Sequence, residues 1–404
     1  MNILYINKFF HVQGGVDRNF FDIGNLMEKK DHNVAYFSSK SNPLNKNEWD
    51  KYFVSYLSYT NKSIYSKLKF GLRIYYSAEA RRKVSIILDE FRPDIVHIHS
   101  YYHHLSPSIL PEIKKRNIPI VQSLGDYHIV SPNYNLFHNG KICEISKPDR
   151  YYKAILHKCV KNSYVVTSAE VLEKYVHRWL GWERYYIGQF IVPSRFMKKK
   201  LIEYGLSADN IKVLPHFIDS NSYKDKKISG NYILYFGRLS EEKGLKFLLK
   251  AMSKLPGIKL KIAGSGPDDK ELRRYIYKHK IRNADLVGFK EANELRDLIF
   301  GCKFSILPSL WYEVFGLSII ESFAAGKAVI ASNIGGIREV IKNNYNGLLF
   351  NTGDEEDLIR KINLLWNNSA LCRTLGRNAR KSSKKDYNGN GYYQKLIKIY
   401  KNLI

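Results

Sequence analysis

Short apolar runs alternate with stretches of helical periodicity along almost the whole chain. Residues 2–6 (Asn-Ile-Leu-Tyr-Ile) form an unbroken apolar run ahead of a glycine loop, the pattern of a buried first strand. Similar runs at 34–37, 95–98, 118–121 and 164–167 predict further strands. Apolar positions spaced three and four apart predict helices over 17–30, 81–91 and 107–116. The rhythm breaks in a Ser-, Asn-, Asp- and Lys-rich stretch over 219–230, read as a linker. It restarts with strands at 232–236, 258–263, 285–287, 304–307 and 328–331, most of them ending at Gly or Pro. Strand–helix alternation of this kind builds parallel sheets covered on both faces. The expected fold is α/β: two Rossmann-like, doubly wound domains facing across a cleft. The first spans 1–218 and the second spans 231–385. The amphipathic end of the chain, 386–404, is expected to pack back towards the first domain. Ligands of such sheets sit beyond the carboxyl ends of the strands.

Composition narrows the class. The 404 residues include 44% hydrophobic and 14% aromatic side chains, enough for packed cores and too many for a disordered chain. Four cysteines are too few for a disulfide scaffold and suggest a reducing compartment. No apolar run approaches the roughly 20 residues of a membrane-spanning helix. The first residues, MNILYINKFF, lack the layout of a signal peptide. The expectation is a cytoplasmic protein, with peripheral attachment to the inner face of a membrane as the sharper alternative. The formal charge of +27 divides evenly, with 31 basic and 17 acidic residues in 1–200 and 34 and 21 in the remainder. A charge so spread argues against a basic tail or dedicated nucleic-acid module, and nucleic acid is not an expected partner. An anionic membrane surface remains one. The helix expected over 195–204, with Lys198, Lys199 and Lys200, is either a solvated face or part of that surface.

Candidate chemistry concentrates after strand ends in the second half. In Pro308-Ser-Leu-Trp-Tyr-Glu-Val-Phe-Gly-Leu-Ser-Ile-Ile-Glu321, a strand ends, a loop follows and a helix begins near Phe315 or Gly316. Backbone N–H groups at such a start make a seat for an anion. Glu313 precedes that seat and Glu321 lies inside the helix. Carboxylates beside a phosphate seat make sense if they accept hydrogen bonds from sugar hydroxyls on either side of a diphosphate. Phe236-Gly-Arg-Leu-Ser-Glu-Glu-Lys-Gly244 adds cations, Arg238 to fork onto phosphate oxygens and Lys243 as a mobile point charge. No Asp-x-Asp motif stands at a strand end, so Arg238, Lys243 and the helix start are expected to neutralise a leaving diphosphate without a metal.

The Glu-x7-Glu spacing of 313 and 321, the FGRLSEEKG run, the AGSGP turn at 263–267, Val287-Gly288-Phe289 and the run from Ala325 to Val340 together resemble the retaining family-4 glycosyltransferases of GT-B fold, of the kind that build bacterial surface polysaccharides. Gly14-Gly15-Val16-Asp17-Arg18 is similar to that family's glycine loop after the first strand, and the resemblance covers nearly the whole chain. It implies that Glu313 faces the donor sugar, Glu321 the ribose, and Arg238 and Lys243 the diphosphate. Backbone N–H groups of Phe315, Gly316 and Leu317, with Gly14 and Gly15, complete the seat, and main chain from Val287 to Phe289 meets the base. It implies a hexose moved from a nucleotide sugar, UDP-linked by preference and GDP-mannose as the alternative, to a glycan or lipid-linked acceptor. Asp126, His128, Tyr101 and His103 are candidates for sugar or acceptor contact. No cofactor or metal is expected. A nucleotide-sugar epimerase and a non-catalytic sugar-nucleotide-binding subunit are the competing readings.

The chain departs from the family at Ser123-Leu-Gly-Asp-Tyr-His128, where relatives carry a histidine in place of Gly125. That histidine meets the donor sugar near C6, and His128 is the candidate replacement. His97 and His99 share a strand face and read as core histidines rather than a metal pair. Cys143 and Cys159 lack the paired spacing of a zinc site.

Overall fold

A computed structural model describes residues 1–40, 47–56, 71, 73–223 and 230–404. Most of the expected linker, 224–229, lies outside the described residues. Seven parallel strands form the first sheet in the order β3-β2-β1-β4-β5-β8-β9. They are β1 (Asn2–Phe9), β2 (Asn33–Lys40), β3 (Val54–Ser55), β4 (Ile95–Ile98), β5 (Ile120–Ser123), β8 (Gln189–Val192) and β9 (Ile211–Val213). A small antiparallel hairpin, β6 (Phe137–His138) and β7 (Lys141–Ile142), stands apart. The second sheet, also parallel, has the order β12-β11-β10-β13-β14-β15. Its strands are β10 (Tyr232–Phe236), β11 (Lys259–Ala263), β12 (Ala284–Gly288), β13 (Phe304–Leu307), β14 (Val329–Ser332) and β15 (Gly347–Phe350). The central strands β4, β5, β10 and β13 are buried at every position, which is why they read as continuous apolar runs rather than alternating ones.

Strand order reverses at β1/β4 in the first sheet and at β10/β13 in the second. Successive crossovers leave in opposite directions there, and a crevice opens beyond the carboxyl ends. The loops that emerge at these points carry Gly14–Gly15 after β1, 237–244 after β10 and 308–316 after β13. The topology itself therefore brings the candidate residues to one place.

One expected strand is a helix. Residues 164–167 open the helix Tyr164–Leu180, because the Ser163 hydroxyl accepts from the Val166 N–H at its N-terminus and Gly181, at φ +67°, ends it. A β-branched run without alternation fits either element, and a serine cap decides here. The sheet position falls instead to β8. The end of the chain forms the helix Gly389–Lys401, started by the Asn388 side chain on the Gly391 N–H. Tyr392, Leu396, Ile397 and Tyr400 are buried against Ile3, Tyr5, Phe20 and Ile95 of the first domain. The Tyr400 hydroxyl lies 3.1 Å from that of Tyr5 and 2.5 Å from His97 Nδ1, and Ser123 Oγ is 2.8 Å from His97 Nε2. His97 is thus a satisfied core histidine. The sulfurs of Cys143 and Cys159 are 3.9 Å apart, and no third ligand type joins them among the described residues.

Candidate active site

The loop after β13 is shaped by close backbone packing. Gly336 N–H donates to the Glu313 carbonyl at 2.7 Å, and a Cβ on Gly335 (φ +59°) would lie 2.4 Å from that oxygen. Only glycine lets the turn after β14 press on the 312–314 backbone. Glu313 is held at 4% exposure. Its Oε1 accepts from Lys243 Nζ at 2.5 Å and from Ser309 Oγ at 2.8 Å. The Lys243 ammonium also lies 4.9 Å from the centre of the Trp311 ring. Two residues 70 positions apart, Glu313 expected at the donor sugar and Lys243 at the diphosphate, therefore meet as an ion pair at the β10/β13 switch point.

Eight residues beyond Glu313, Glu321 lies on the helix Leu317–Ala324. Gly316, at φ +96°, caps that helix in a left-handed conformation, which leaves its first N–H groups free of a side-chain cap. Phe315 packs its ring on His216 and Tyr387, so its backbone is what it offers the seat. Across the cleft, the Cβ position of Gly15 is 3.1 Å from Leu317 Cδ1, so the first-domain glycine loop abuts the start of this helix. Arg18, four positions on from Gly14, reaches Glu321 Oε1 at 3.2 Å, and the Tyr223 hydroxyl stands 3.5 Å from the same oxygen. Burial raises the Glu321 carboxyl above its ordinary range, against the opposing charge of Arg18. The site reading from sequence gave Arg18 no role. A signal was present, since it stands in the quoted Gly-Gly-Val-Asp-Arg motif.

Arg238 is exposed in the loop after β10. That loop is tied to its neighbours through Gly237 N–H to Ala263 O (3.0 Å) and Leu239 N–H to Ser265 O (2.9 Å). Gly264 N–H bonds Gly288 O at 2.8 Å, which aligns the Val287–Phe289 turn with them. Phe289 is 64% exposed. These three turns make one continuous rim.

The acceptor-side candidates behave differently. Tyr101 is fully buried and donates to Glu183 at 2.6 Å. His128 is buried, its ring centre 3.9 Å from that of Tyr102, with Lys174 Nζ 3.0 Å from its Nδ1. His103 faces Glu170 and Glu173. For Tyr101 and His128 the expectation of sugar or acceptor contact is corrected, because both side chains are buried among interior partners. His103, in a left-handed turn (φ +68°), keeps 20% of its side chain exposed, and the Asp126 carboxylate accepts from His128 N–H at 2.9 Å. Asp126 itself remains half-buried. His128 cannot replace the family histidine. At Gly125 the space is already taken, because a Cβ there would lie 2.4 Å from Val16 Cγ2.

Comparison with known proteins gives the family and the fold. The family model "Glycosyltransferase Family 4" matches residues 13–222, and "Glycosyl transferases group 1" matches 219–382. An uncharacterised glycosyltransferase of Methanocaldococcus jannaschii is 34% identical over 155 residues, 38% of this chain and 44% of that protein. A 42.6 kDa protein of the cps region of Klebsiella pneumoniae is 24% identical over 84% of this chain and 87% of its own length. The crystal structure of Anabaena HepE in complex with UDP and glucose superposes over the whole of both chains with a TM-score of 0.72 at 17% identity. The fold is GT-B.

Proposed function

The chain belongs to glycosyltransferase family 4, and on that premise we propose that it transfers a hexose from a nucleotide diphosphate sugar, a UDP-sugar in the first instance, with retention at the anomeric carbon. The observation that carries this reading is the Lys243–Glu313 pair beside the Leu317 helix start, with Glu321 across from Arg18. Glu313 and Lys243 hold each other in place before donor arrives. The ammonium then stabilises the negative charge that grows on the departing diphosphate, together with Arg238 and the helix N–H groups. Glu313 accepts from sugar hydroxyls, and the ribose hydroxyls fall to Glu321. No protein nucleophile is needed if the diphosphate leaves on the face from which the acceptor enters. HepE, seen in complex with UDP and glucose, supports a UDP-linked donor. The capsule-region relative supports polysaccharide synthesis as the setting. Incubation of the purified protein with UDP-hexoses, with the anomeric signal of product or released sugar followed by NMR, tests both donor and stereochemistry. An inverted product overturns the retaining reading. A strict requirement for magnesium or manganese in the rate overturns diphosphate neutralisation by protein groups alone.

The acceptor is proposed to be lipid-linked and met at an anionic membrane surface. No helix among the described residues is long and apolar enough to cross a membrane. The helix Tyr164–Leu180, however, carries a large apolar stripe outward. Val165, Leu172, Tyr175 and Trp179 form that exposed stripe, Val165 at 81% and Trp179 at 85%, while the polar Thr167, Glu173, Lys174 and His177 face inward beside Val171. Glu170, Glu173 and Glu183 all turn to interior partners and Arg178 pairs with Asp149, which leaves Lys153, Lys158 and Arg184 among the outward charges of 152–185. Aromatic and aliphatic groups among cations fit the interface of anionic lipid. Leu172→Glu/Trp179→Glu should lose binding to vesicles containing anionic lipid and keep donor binding. Unchanged vesicle binding removes this surface from the reading.

A further inference from the structure

The inward face of that same helix raises a separate question. A helix that exposes its apolar stripe, buries Glu173 and half-buries Glu170 one turn before it must find compensation for these carboxylates, since an unpaired buried charge is costly. Glu173 is 0% exposed, and neither of its carboxylate oxygens has a hydrogen-bond partner. His128, 4% exposed, has no hydrogen-bond partner at Nε2. These atoms are aimed at one another. His128 Nε2 lies 3.5 Å from Glu170 Oε2 and 3.8 Å from Glu173 Oε2, and His103 Nε2 lies 3.3 Å from Glu170 Oε1 and 3.6 Å from Glu173 Oε2. One ligand atom from each of the four residues falls within 4.8 Å of the others. The separations are too long for hydrogen bonds of good geometry. The edge of a tetrahedron with ligands at about 2.0–2.1 Å is roughly 3.3–3.4 Å, so a contraction of a few tenths of an ångström in these His–carboxylate separations, with Glu170 turned to offer one oxygen, brings the four side chains to ligand spacing.

We propose that His103, His128, Glu170 and Glu173 bind one divalent transition-metal ion, zinc before manganese or iron, which fixes the inward face of the Tyr164–Leu180 helix to the loops after β4 and β5. Imidazole and carboxylate ligands suit that class, and calcium or magnesium would want more oxygens. All four positions are filled by protein, so the ion is structural and does not touch the donor seat. A proton does part of the same work: burial disfavours charge on His103, yet Glu170 and Glu173 outweigh it and lift it to about 9. That proton still leaves His128 Nε2 without a bond. Lys174 marks the adjustment the ion requires. Its ammonium faces His128 Nδ1, which must carry a proton once Nε2 is a ligand, so the ammonium turns to the Tyr102 ring, 5.0 Å away.

The test uses the full chain, stripped with chelator and titrated with Zn2+ by calorimetry and with Co2+ by visible absorption. One equivalent per chain is expected, with the strong d–d bands of four-coordinate cobalt and a rise in melting temperature. Glu173→Gln and Glu170→Gln should each weaken binding by more than the roughly 10–100-fold that an outer-shell change costs. Lys174→Gln, whose amide oxygen can accept from Nδ1–H, should tighten it. Cys143→Ser should leave it unchanged. No saturable one-to-one binding in the wild type overturns the proposal and leaves a proton-only network. Binding that survives Glu173→Gln, or that disappears in Cys143→Ser, overturns it as well.

Discussion

Lys243→Met separates the structural from the chemical role of the pair at the heart of the site. It leaves the Glu313 carboxylate, 5% exposed at the side chain, with Ser309 as its one remaining partner in that contact. Removing one member of a buried ion pair costs about 3–5 kcal/mol. At about 2–4 °C per kcal/mol for a domain of this size, the second domain should melt roughly 6–20 °C lower. Lys243 is 18% exposed, which favours the lower part of that range. Loss of one preorganised charge stabiliser should cost about 10²–10³ in transfer rate. Glu313→Gln should be milder in stability, because the freed ammonium can reach water and still lies over Trp311. The double variant Lys243→Met/Glu313→Gln is decisive. It buries no lone charge, so most of the lost melting temperature returns. Its transfer rate should stay at or below that of the worse single variant. Calorimetry and a coupled assay for released nucleoside diphosphate on the four proteins complete the cycle. If the double variant regains rate along with stability, the pair is a structural clip, and the assignment of Glu313 to the sugar and of Lys243 to the departing diphosphate fails.

Glu321→Ala should raise KM for the donor with kcat nearly unchanged, since ribose contacts act alike in ground and transition states; a fall in kcat at constant KM places it at the reacting sugar instead. Gly125→His alone should fold poorly, because its Cβ meets Val16 Cγ2, whereas Val16→Ala/Gly125→His makes room and should favour a 6-hydroxy donor over its 6-deoxy analogue; equal kcat/KM for the two donors in that double variant refutes a C6 contact there. His97 is held neutral by burial, down to about 3, and His216 to about 4. The unfolded chain therefore takes up protons below pH 6.5 that the folded one refuses, and stability falls from there downward, by about 2 kcal/mol per such histidine at pH 5. A melting temperature flat from pH 7 to 5 would show these imidazoles are protonated in the folded state.

What the sequence made legible follows from where each signal was stored. The donor seat is local: the strand stops at Leu307, loop, glycine turn and helix start follow within the 14 consecutive residues from Pro308 to Glu321, and the partner Lys243 sits just past another strand end. Residues at strand ends of a doubly wound sheet are carried to one crevice by topology, so reading the strands was enough to bring Glu313 and Lys243 near each other. The first domain stored its information otherwise. Tyr101 and His128 turn inward to partners distant in sequence, Glu183 at 82 positions and Lys174 at 46, and no local pattern announces such pairings. Taking 164–167 for a strand hid the helix that brings Glu170 and Glu173 onto one turn, and with it the carboxylates that the His103 and His128 imidazoles face. The apolar stripe of that helix was equally hard to read, because the hydrophobic period reports amphipathicity and not its sense. Periodicity assigns the apolar face to the core by default. On Tyr164–Leu180 the inward carboxylates reverse that default, and what the helix covers outside and what it holds inside become two experiments on one element.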